Sequence, residues 1–104
     1  MPTDEIHYHL LKRLAANPEA THRQLAEELG VSVGKTHYSL KALLERGWVK
    51  AGNFRKNDNK RAYAYQLTPR GMREKARLAL RFLRHKQAEH ERLKAEVAER
   101  QQDA

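Results

Sequence analysis

Apolar residues recur at intervals of three and four along most of this chain, which predicts helices over most of its length. Residues 3–17 read as the first helix, because acidic side chains occupy its first turn, where the helix dipole favours them. Asn17 precedes Pro18, and a residue before proline is pushed out of the helical region, so the helix should end there. The apolar stripe of this helix consists of Ile6, Leu10, Leu11 and Leu14.

Residues 25–49 read as two short helices joined by a tight bend. Thr21 and Gln24 fit a capping box in front of the first helix, and Gly30 stands where a helix needs a left-handed stop. Ser32 is placed to cap the second helix, which Gly47 should end. A helix, a short Gly-containing bend and a second helix form the DNA-reading helix-turn-helix, although the spacing alone also fits a plain helical hairpin.

After Gly47 the apolar period changes to that of strands. We predict strands over residues 48–51 and 61–68, with a turn-forming cluster over residues 53–60 between them. A β-hairpin that follows a recognition helix is a wing. Its tip has four basic side chains against the single acid Asp58, so we expect contact with the DNA backbone, the alternative being an ordinary solvated turn. The four basic residues are Arg55, Lys56, Lys60 and Arg61.

The last predicted helix begins at Pro69, with Thr68 as its N-cap, and no proline or glycine follows Gly71. It could run to about Arg100, or ~45 Å at 1.5 Å per residue, which is too long to lie wholly on a small winged domain. We therefore predict self-association through this helix rather than a solvated helix with a frayed end. Leu78 and Phe82 are expected to widen its apolar stripe, and both, together with Leu80 and Leu83, should be exposed without a partner. The dimerisation positions are Met72, Ala76, Leu80, Leu83, Leu93 and Val97.

Charge along this helix is divided between its halves. The first half has seven basic residues against Glu74, and the second half has five acidic residues against three basic ones. A parallel pair would set basic against basic, so we predict an antiparallel homodimer, although each surface ion pair contributes only ~0.2–1 kcal/mol.

Composition narrows the class of partner. The chain has 104 residues, a net charge of +8 and no cysteine. An acidic polymer or surface is the natural partner, and neither disulfides nor thiolate metal sites are possible. The N-terminus lacks the apolar core of a signal peptide and no run is long enough to span a membrane, so we expect a cytoplasmic protein. The predicted fold is mainly α with a small β-hairpin: a winged helix-turn-helix domain over residues 1–68 and a coiled-coil-like dimerisation helix over residues 69–104.

The second helix of the helix-turn-helix should divide into a buried and an outward arc. We predict that the buried arc consists of Val33, His37, Leu40, Leu43 and Leu44. The outward arc should consist of Gly34, Lys35, Tyr38, Ala42 and Glu45, flanked by Ser39 and Lys41.

The outward arc supplies the predicted DNA contacts. Lys35 and Tyr38 are the candidates for reading base edges, with Ser39 as a secondary one. Gly34 allows close backbone approach. The remaining candidates are Ser32 and Lys41 for phosphate, and Thr36 either for phosphate or for packing at the bend.

The sequence gives little support for a nucleotide-binding loop, a metal site or a catalytic serine. Residues 30–36, GVSVGKT, imitate a phosphate-binding loop but have three residues between the glycines where the loop requires four. The six histidines have no known metal-site spacing, and no serine has a base beside it in sequence. We predict no metal, no cofactor and no enzymatic activity.

The segments GKTHYSLKALLERGWVK (34–50), NFRKNDNKRAYAYQLTPRG (53–71) and EKARLALRFLRHK (74–86) carry a resemblance to a known family. The chain resembles the MarR-type winged-helix regulators, and more narrowly the subgroup associated with exopolysaccharide (EPS) gene clusters. The resemblance implies a bacterial transcription factor that binds DNA as a homodimer, and control of polysaccharide synthesis or export genes. Larger relatives add helices and a ligand pocket at the dimer interface; this shorter chain has one dimerisation helix, which argues against a small-molecule effector.

Residues and resemblance together predict a sequence-specific DNA-binding regulator. The main rival is a winged-helix module that binds a protein partner, with the last helix as the docking surface. RNA binding is a third possibility, which the charge permits and no RNA-specific aromatic motif supports.

Overall fold

The computed structural model describes residues 3–57 and 60–103, and the side chains of residues 53–57, 60–63 and 103 lie outside what it describes. Three helices, a hairpin and a long helix follow one another, which confirms the predicted fold class. The elements are α1 (Thr3–Ala16), α2 (His22–Leu29), α3 (Val33–Glu45), β1 (Val49–Asn57), β2 (Lys60–Leu67) and α4 (Pro69–Asp103).

The bend between α2 and α3 is fixed by local hydrogen bonds of the predicted kind. The Thr21 hydroxyl accepts a bond from the Gln24 amide at 3.1 Å, and the Thr21 amide donates to the Gln24 side chain at 2.9 Å. Gly30 ends α2 in the left-handed region with φ of 71°. The Ser32 hydroxyl accepts from the Lys35 amide at 3.0 Å and so caps α3. The capping predictions are confirmed.

The hairpin is longer than predicted. Its strands pair antiparallel from Val49 opposite Leu67 to Arg55 opposite Arg61, with an irregularity between Arg55 and Asn57. Residues 53–57 therefore belong to β1, whereas their turn-forming composition predicted a loop. Continued pairing satisfies backbone donors and acceptors, and this outweighs the weak strand propensity of these residues.

The core lies between the three short helices, the base of the hairpin and the first half of α4. Leu78 of α4 is fully buried, and Phe82 is half-buried against Tyr8 of α1, with 5.5 Å between the ring centroids. The prediction that Leu78 and Phe82 would be exposed without a partner is wrong, because α1 covers that side of α4. The other large core residues are Ile6, Leu10, Leu11, Leu14, Leu25, Leu29, Leu40, Leu43, Trp48 and Val49.

The start of α4 is tied to the domain by Thr68. Its hydroxyl donates to the Gly47 carbonyl at 2.6 Å and accepts from the Gly71 amide at 3.0 Å, as expected of an N-cap. Further along, Arg81 forms an ion pair with Asp4 of α1 at 2.5 Å. The first half of α4 thus completes the core of the winged domain, and the division of the chain at residue 68 stays a prediction.

Among the helices that the structure describes, none is both long enough and apolar enough to cross a membrane.

Candidate nucleic-acid interface

The face of α3 that is buried differs from the face predicted from the sequence, as if the helix were rotated about its axis. Leu40 and Leu43 are buried as predicted, but Val33 is 48% exposed and His37 is also exposed. The apolar spacing selected a stripe through Val33 and His37, whereas the domain covers the adjacent stripe through Thr36. His37 stays at the surface, where water solvates its polar ring and no desolvation penalty arises.

Thr36 and Ser39, two of the predicted DNA contacts, lie inside the fold and not on the outward face of α3. Thr36 is 0% exposed and Ser39 is 5% exposed. The Thr36 hydroxyl donates to the Ser32 carbonyl at 3.0 Å, so its polar group is satisfied inside the fold. Thr36 therefore packs at the bend, and Ser39 is buried rather than flanking the outward arc as predicted; contact of either residue with DNA is untested.

Helix α3 nevertheless presents a continuous outward face from Gly34 to Lys41. Gly34, Lys35 and Lys41 are exposed, and Tyr38 is 76% exposed. Tyr38 has one of the most exposed large side chains in the described part of the chain, although aromatic rings are usually covered. The outward placement of these four residues agrees with the sequence prediction, and their contact with DNA stays a prediction.

The N-terminus of α3 has backbone groups suited to a phosphate. Ser32 is exposed, and its hydroxyl oxygen already accepts from the Lys35 amide, which leaves the hydroxyl proton free to donate. Val33 and Gly34 occupy the first turn, where amides have no carbonyl partner within the helix. The positive end of the helix dipole favours an anion at this point.

A histidine pair lies beside this face, and no pattern in the sequence indicated it. The ring of His22 on α2 is 5.4 Å from His37 on α3 and 5.8 Å from Tyr65 on β2, measured between centroids. The His22 Nε2 atom is 3.2 Å from the Tyr65 hydroxyl. Partial burial, with a smaller effect from His37, lowers the pKa of His22. These contacts join both helices of the helix-turn-helix to the base of the wing. Because His22 and Tyr65 are 43 positions apart in the chain, no local sequence pattern could have revealed them.

The wing places its basic residues opposite one another in the backbone. Arg55 is paired with Arg61, and Lys60 with Asn57. The side chains of Arg55, Lys56, Lys60 and Arg61 lie outside the described residues, as does Asp58 entirely. Their predicted role at the DNA backbone is therefore neither supported nor contradicted by contacts.

A second surface runs along α4. The predicted dimerisation positions are all exposed. The exposed fraction is between 48% and 61% for Met72, the three leucines and Val97, and Ala76 is also exposed. The described chain leaves this stripe uncovered. The exposed large residues are Met72, Leu80, Leu83, Leu93 and Val97.

Comparison with known proteins agrees with this geometry. Residues 3–50 match the family of winged helix-turn-helix DNA-binding domains. No curated protein matches the sequence.

Solved structures of similar fold are transcriptional regulators. The PcaV regulator of Streptomyces coelicolor, solved with its natural ligand, is 25% identical, with a TM-score of 0.65 over 94% of this chain and 73% of that one. ZitR of Lactococcus lactis, solved in complex with DNA, is 23% identical, with a TM-score of 0.62 over 83% of this chain and 57% of that one. A MarR regulator of Methanosarcina mazei is 20% identical, with a TM-score of 0.55 over 73% of this chain and 55% of that one. Residues 3–50 therefore match winged helix-turn-helix DNA-binding domains, and the chain has the winged helix-turn-helix fold of solved transcriptional regulators, a MarR regulator among them.

Proposed function

We propose that this chain is a sequence-specific, DNA-binding transcriptional regulator of the MarR type. The observation that carries the proposal is the outward face of α3, where Lys35 and Tyr38 project from the end of the helix that enters the major groove in helix-turn-helix proteins. The net charge of +8 supplies the attraction to phosphate that DNA binding requires. Such a regulator would act in the cytoplasm.

Each exposed residue of this face has a distinct proposed role. Lys35 and Tyr38 contact base edges, and Gly34 lets the backbone approach the groove closely. Lys41 and the Ser32 end of α3 bind phosphates. On the wing, a set of basic residues binds the flanking backbone: Arg55, Lys56, Lys60 and Arg61.

The proposed active form is a homodimer that pairs through the stripe of α4. A two-fold axis between two winged domains would place two copies of α3 on half-sites one or more helical turns apart, so the operator should be close to palindromic. The uncovered stripe of Met72, Leu80, Leu83, Leu93 and Val97 supports this assembly.

The resemblance of the sequence to the EPS-associated subgroup suggests where operators should be sought first. We propose the promoters of exopolysaccharide synthesis and export genes as the initial candidates. This part of the proposal rests on the sequence resemblance alone.

The proposal is tested by selecting duplexes from fragmented genomic DNA of the source organism with the purified full-length protein. We expect one duplex to be bound at least about a thousandfold more tightly than random competitor, with affinity that falls steeply as salt increases. Equal affinity for all duplexes, or no binding at low salt, would overturn it. Failure to bind any duplex while α4 captures another protein would favour the rival, a winged-helix interaction module.

Substitution of Lys35 then tests the assigned face. Lys35→Ala should cost ~1–3 kcal/mol of binding and relax sequence preference at one position of the operator. Lys12→Ala removes the same charge from an exposed position of α1 and serves as the control. A loss that is equal for all sequences would make Lys35 a phosphate contact instead.

A further inference from the structure

A groove of about 330 Å³ lies between the start of α1 and helix α3, on the side of α3 that carries Lys35 and Tyr38. We propose that this groove binds a phosphate group of the DNA backbone through His7, Ser39 and Arg46. The inference rests on the proposed function and adds to it a backbone contact made by α1 and by the C-terminal end of α3.

The groove is lined from both helices. Five of its lining residues belong to α3 or its C-terminal cap, between positions 35 and 46, and three belong to α1, between positions 3 and 7. At 1.5 Å per residue the α3 side of the groove is ~16 Å long. A ligand in the groove therefore contacts α1 and α3 together, next to the two side chains that are proposed to reach base edges.

His7 indicates that the groove is suited to a polar ligand. This residue is only 2% exposed, and its Nδ1 atom has no hydrogen-bond partner among the described residues. Buried polar atoms of native proteins nearly always have a partner. Because His7 lines the groove, a ligand there is able to supply the missing hydrogen bond.

The guanidinium group of Arg46 lies near this imidazole. Its central carbon is 5.2 Å from the centroid of the Trp48 ring, which packs edge to face on His7 with 6.0 Å between centroids. Burial lowers the pKa of His7, and the charge of Arg46 lowers it further. None of the ion pairs among the described residues involves Arg46. Two groups that repel each other when both are charged can bind one anion together, because the anion attracts both.

The other polar groups of the groove are also donors. Ser39, which is 5% exposed, contributes a hydroxyl, and Thr3 begins α1, where first-turn amides have no carbonyl partner within the helix. None of the described lining residues is acidic. Asp4 lies in the same turn of α1, and its carboxylate is paired with Arg81 of α4. Guanidinium, hydroxyl and backbone amide groups are the donors that proteins use to bind phosphate.

The proposed DNA contacts identify the source of the phosphate. A recognition helix in the major groove has a sugar–phosphate backbone on each side of it. Lys35 and Tyr38 line the same groove as His7. When these two side chains reach the bases, a flanking phosphate is therefore brought to the groove between α1 and α3.

Phosphate in the groove should change the protonation of His7. An anion favours the imidazolium form, so the pKa of His7 should be higher in the DNA complex than in the free protein. Besides Arg46, the charged groups that face it are Asp4, which acts to raise the pKa, and Lys35, which lines the groove. DNA affinity should consequently rise as the pH falls below the pKa of the complex, and become constant below the pKa of the free protein.

Methylphosphonate substitution tests the contact, because it removes the charge of one phosphate at a time from the duplex that the wild-type protein selects. Arg46→Gln should weaken binding of that duplex by about tenfold. One methylphosphonate in each half-site should weaken wild-type binding by a similar factor and have no further effect on Arg46→Gln. Arg92→Gln makes the same charge change at an exposed position of α4 outside the groove and should behave as the wild type. Losses that add at every phosphate would overturn the contact.

The pH dependence of binding tests the role of His7 separately. Between about pH 7.5 and 5.5 the affinity of the wild-type protein should rise at least about threefold more than that of His7→Phe. His90→Gln removes an exposed histidine of α4 and should retain the wild-type dependence. Circular dichroism at each pH checks that the variants are folded. Equal pH dependence in the wild type and His7→Phe would overturn the contact with His7.

NMR measurement of the His7 pKa distinguishes the two sources of phosphate. The selected duplex should raise the pKa, and the same duplex with the coupled methylphosphonate should not. A pKa that rises with inorganic phosphate but not with the duplex would assign the groove to a free anion and overturn the DNA contact. Selection of one duplex over random competitor decides the proposed function independently, since a regulator without this backbone contact would still show it.

Discussion

Gly71 in the first turn of α4 lies directly against the backbone of Trp48, the last residue before β1. A Cβ atom at position 71 would be 1.8 Å from the Trp48 carbonyl oxygen and 2.8 Å from its carbonyl carbon. The same carbonyl oxygen accepts a hydrogen bond from the Thr68 amide at 3.0 Å. The absence of a side chain at Gly71 therefore sets how closely α4 approaches the base of the wing.

Replacement of Gly71 should loosen this contact. Gly71→Ala is expected to destabilise the fold by ~1–3 kcal/mol, because a backbone group rather than a flexible side chain must move. Gly52→Ala is the control, since a Cβ atom there meets nothing within 4 Å. Chemical denaturation of both variants measures the difference; equal stability of the two would show that α4 can shift without cost.

Acid should destabilise the protein through His7. Burial, and to a smaller extent the charge of Arg46, lower the pKa of this histidine, with Asp4 opposing. The folded state therefore binds a proton less readily than the unfolded state. The full stability is present above pH 6.5 and declines as the pH falls below that value toward the pKa of the folded state.

His7→Phe should reduce that decline between pH 7.5 and 5. A phenyl ring can keep the edge-to-face contact with Trp48, which has 6.0 Å between centroids. It also removes a buried ring nitrogen, Nδ1, that has no hydrogen-bond partner among the described residues. His90→Gln removes an exposed histidine that has no ion pair within the described part of the chain, and should leave the acid sensitivity in place. An unchanged pH slope in His7→Phe would assign the sensitivity to another group.

The capping hydroxyl of Thr21 should contribute measurably to stability. Thr21→Ala removes the acceptor for the Gln24 amide and should cost ~0.5–2 kcal/mol. Thr21→Ser keeps the hydroxyl oxygen and should recover most of that loss. Thermal or urea unfolding of the pair gives the comparison, and equal losses in both variants would point to the methyl group rather than the cap.

The wing should contribute to affinity without reading sequence. Arg55→Ala and Lys60→Ala are each expected to reduce the slope of log affinity against log salt by about one counterion, with sequence preference unchanged. Lys50→Ala removes a charge near the base of the hairpin and should leave the slope close to that of the wild type. A change of preferred sequence in either wing variant would mean that the wing contacts base edges.

Local signals in the sequence predicted the elements and their ends well. Thr21, Ser32 and Thr68 cap helices as expected, and Gly30 takes the left-handed conformation. These features depend on interactions within three or four residues, so a short stretch of sequence contains the information. The hairpin was predicted too short because pairing between distant backbone groups overrode the preference of residues 53–57 for a turn.

The faces of the helices were less predictable than their ends. In α3 the apolar spacing favoured burial of Val33 and His37, yet the domain buries Thr36 and Ser39 beside the leucines. A buried threonine whose hydroxyl bonds within its own helix gives no apolar signal.

The sequence by itself determined the order of helices and strands, the positions of the caps, the basic charge and the apolar spacing along α4. Only the tertiary structure decided which side of α3 faces outward and that Leu78 and Phe82 belong to the core. It also brought His22 beside His37 and Tyr65. The reason is physical: capping and periodicity depend on near neighbours, whereas the burial of a given side depends on which distant elements pack against it.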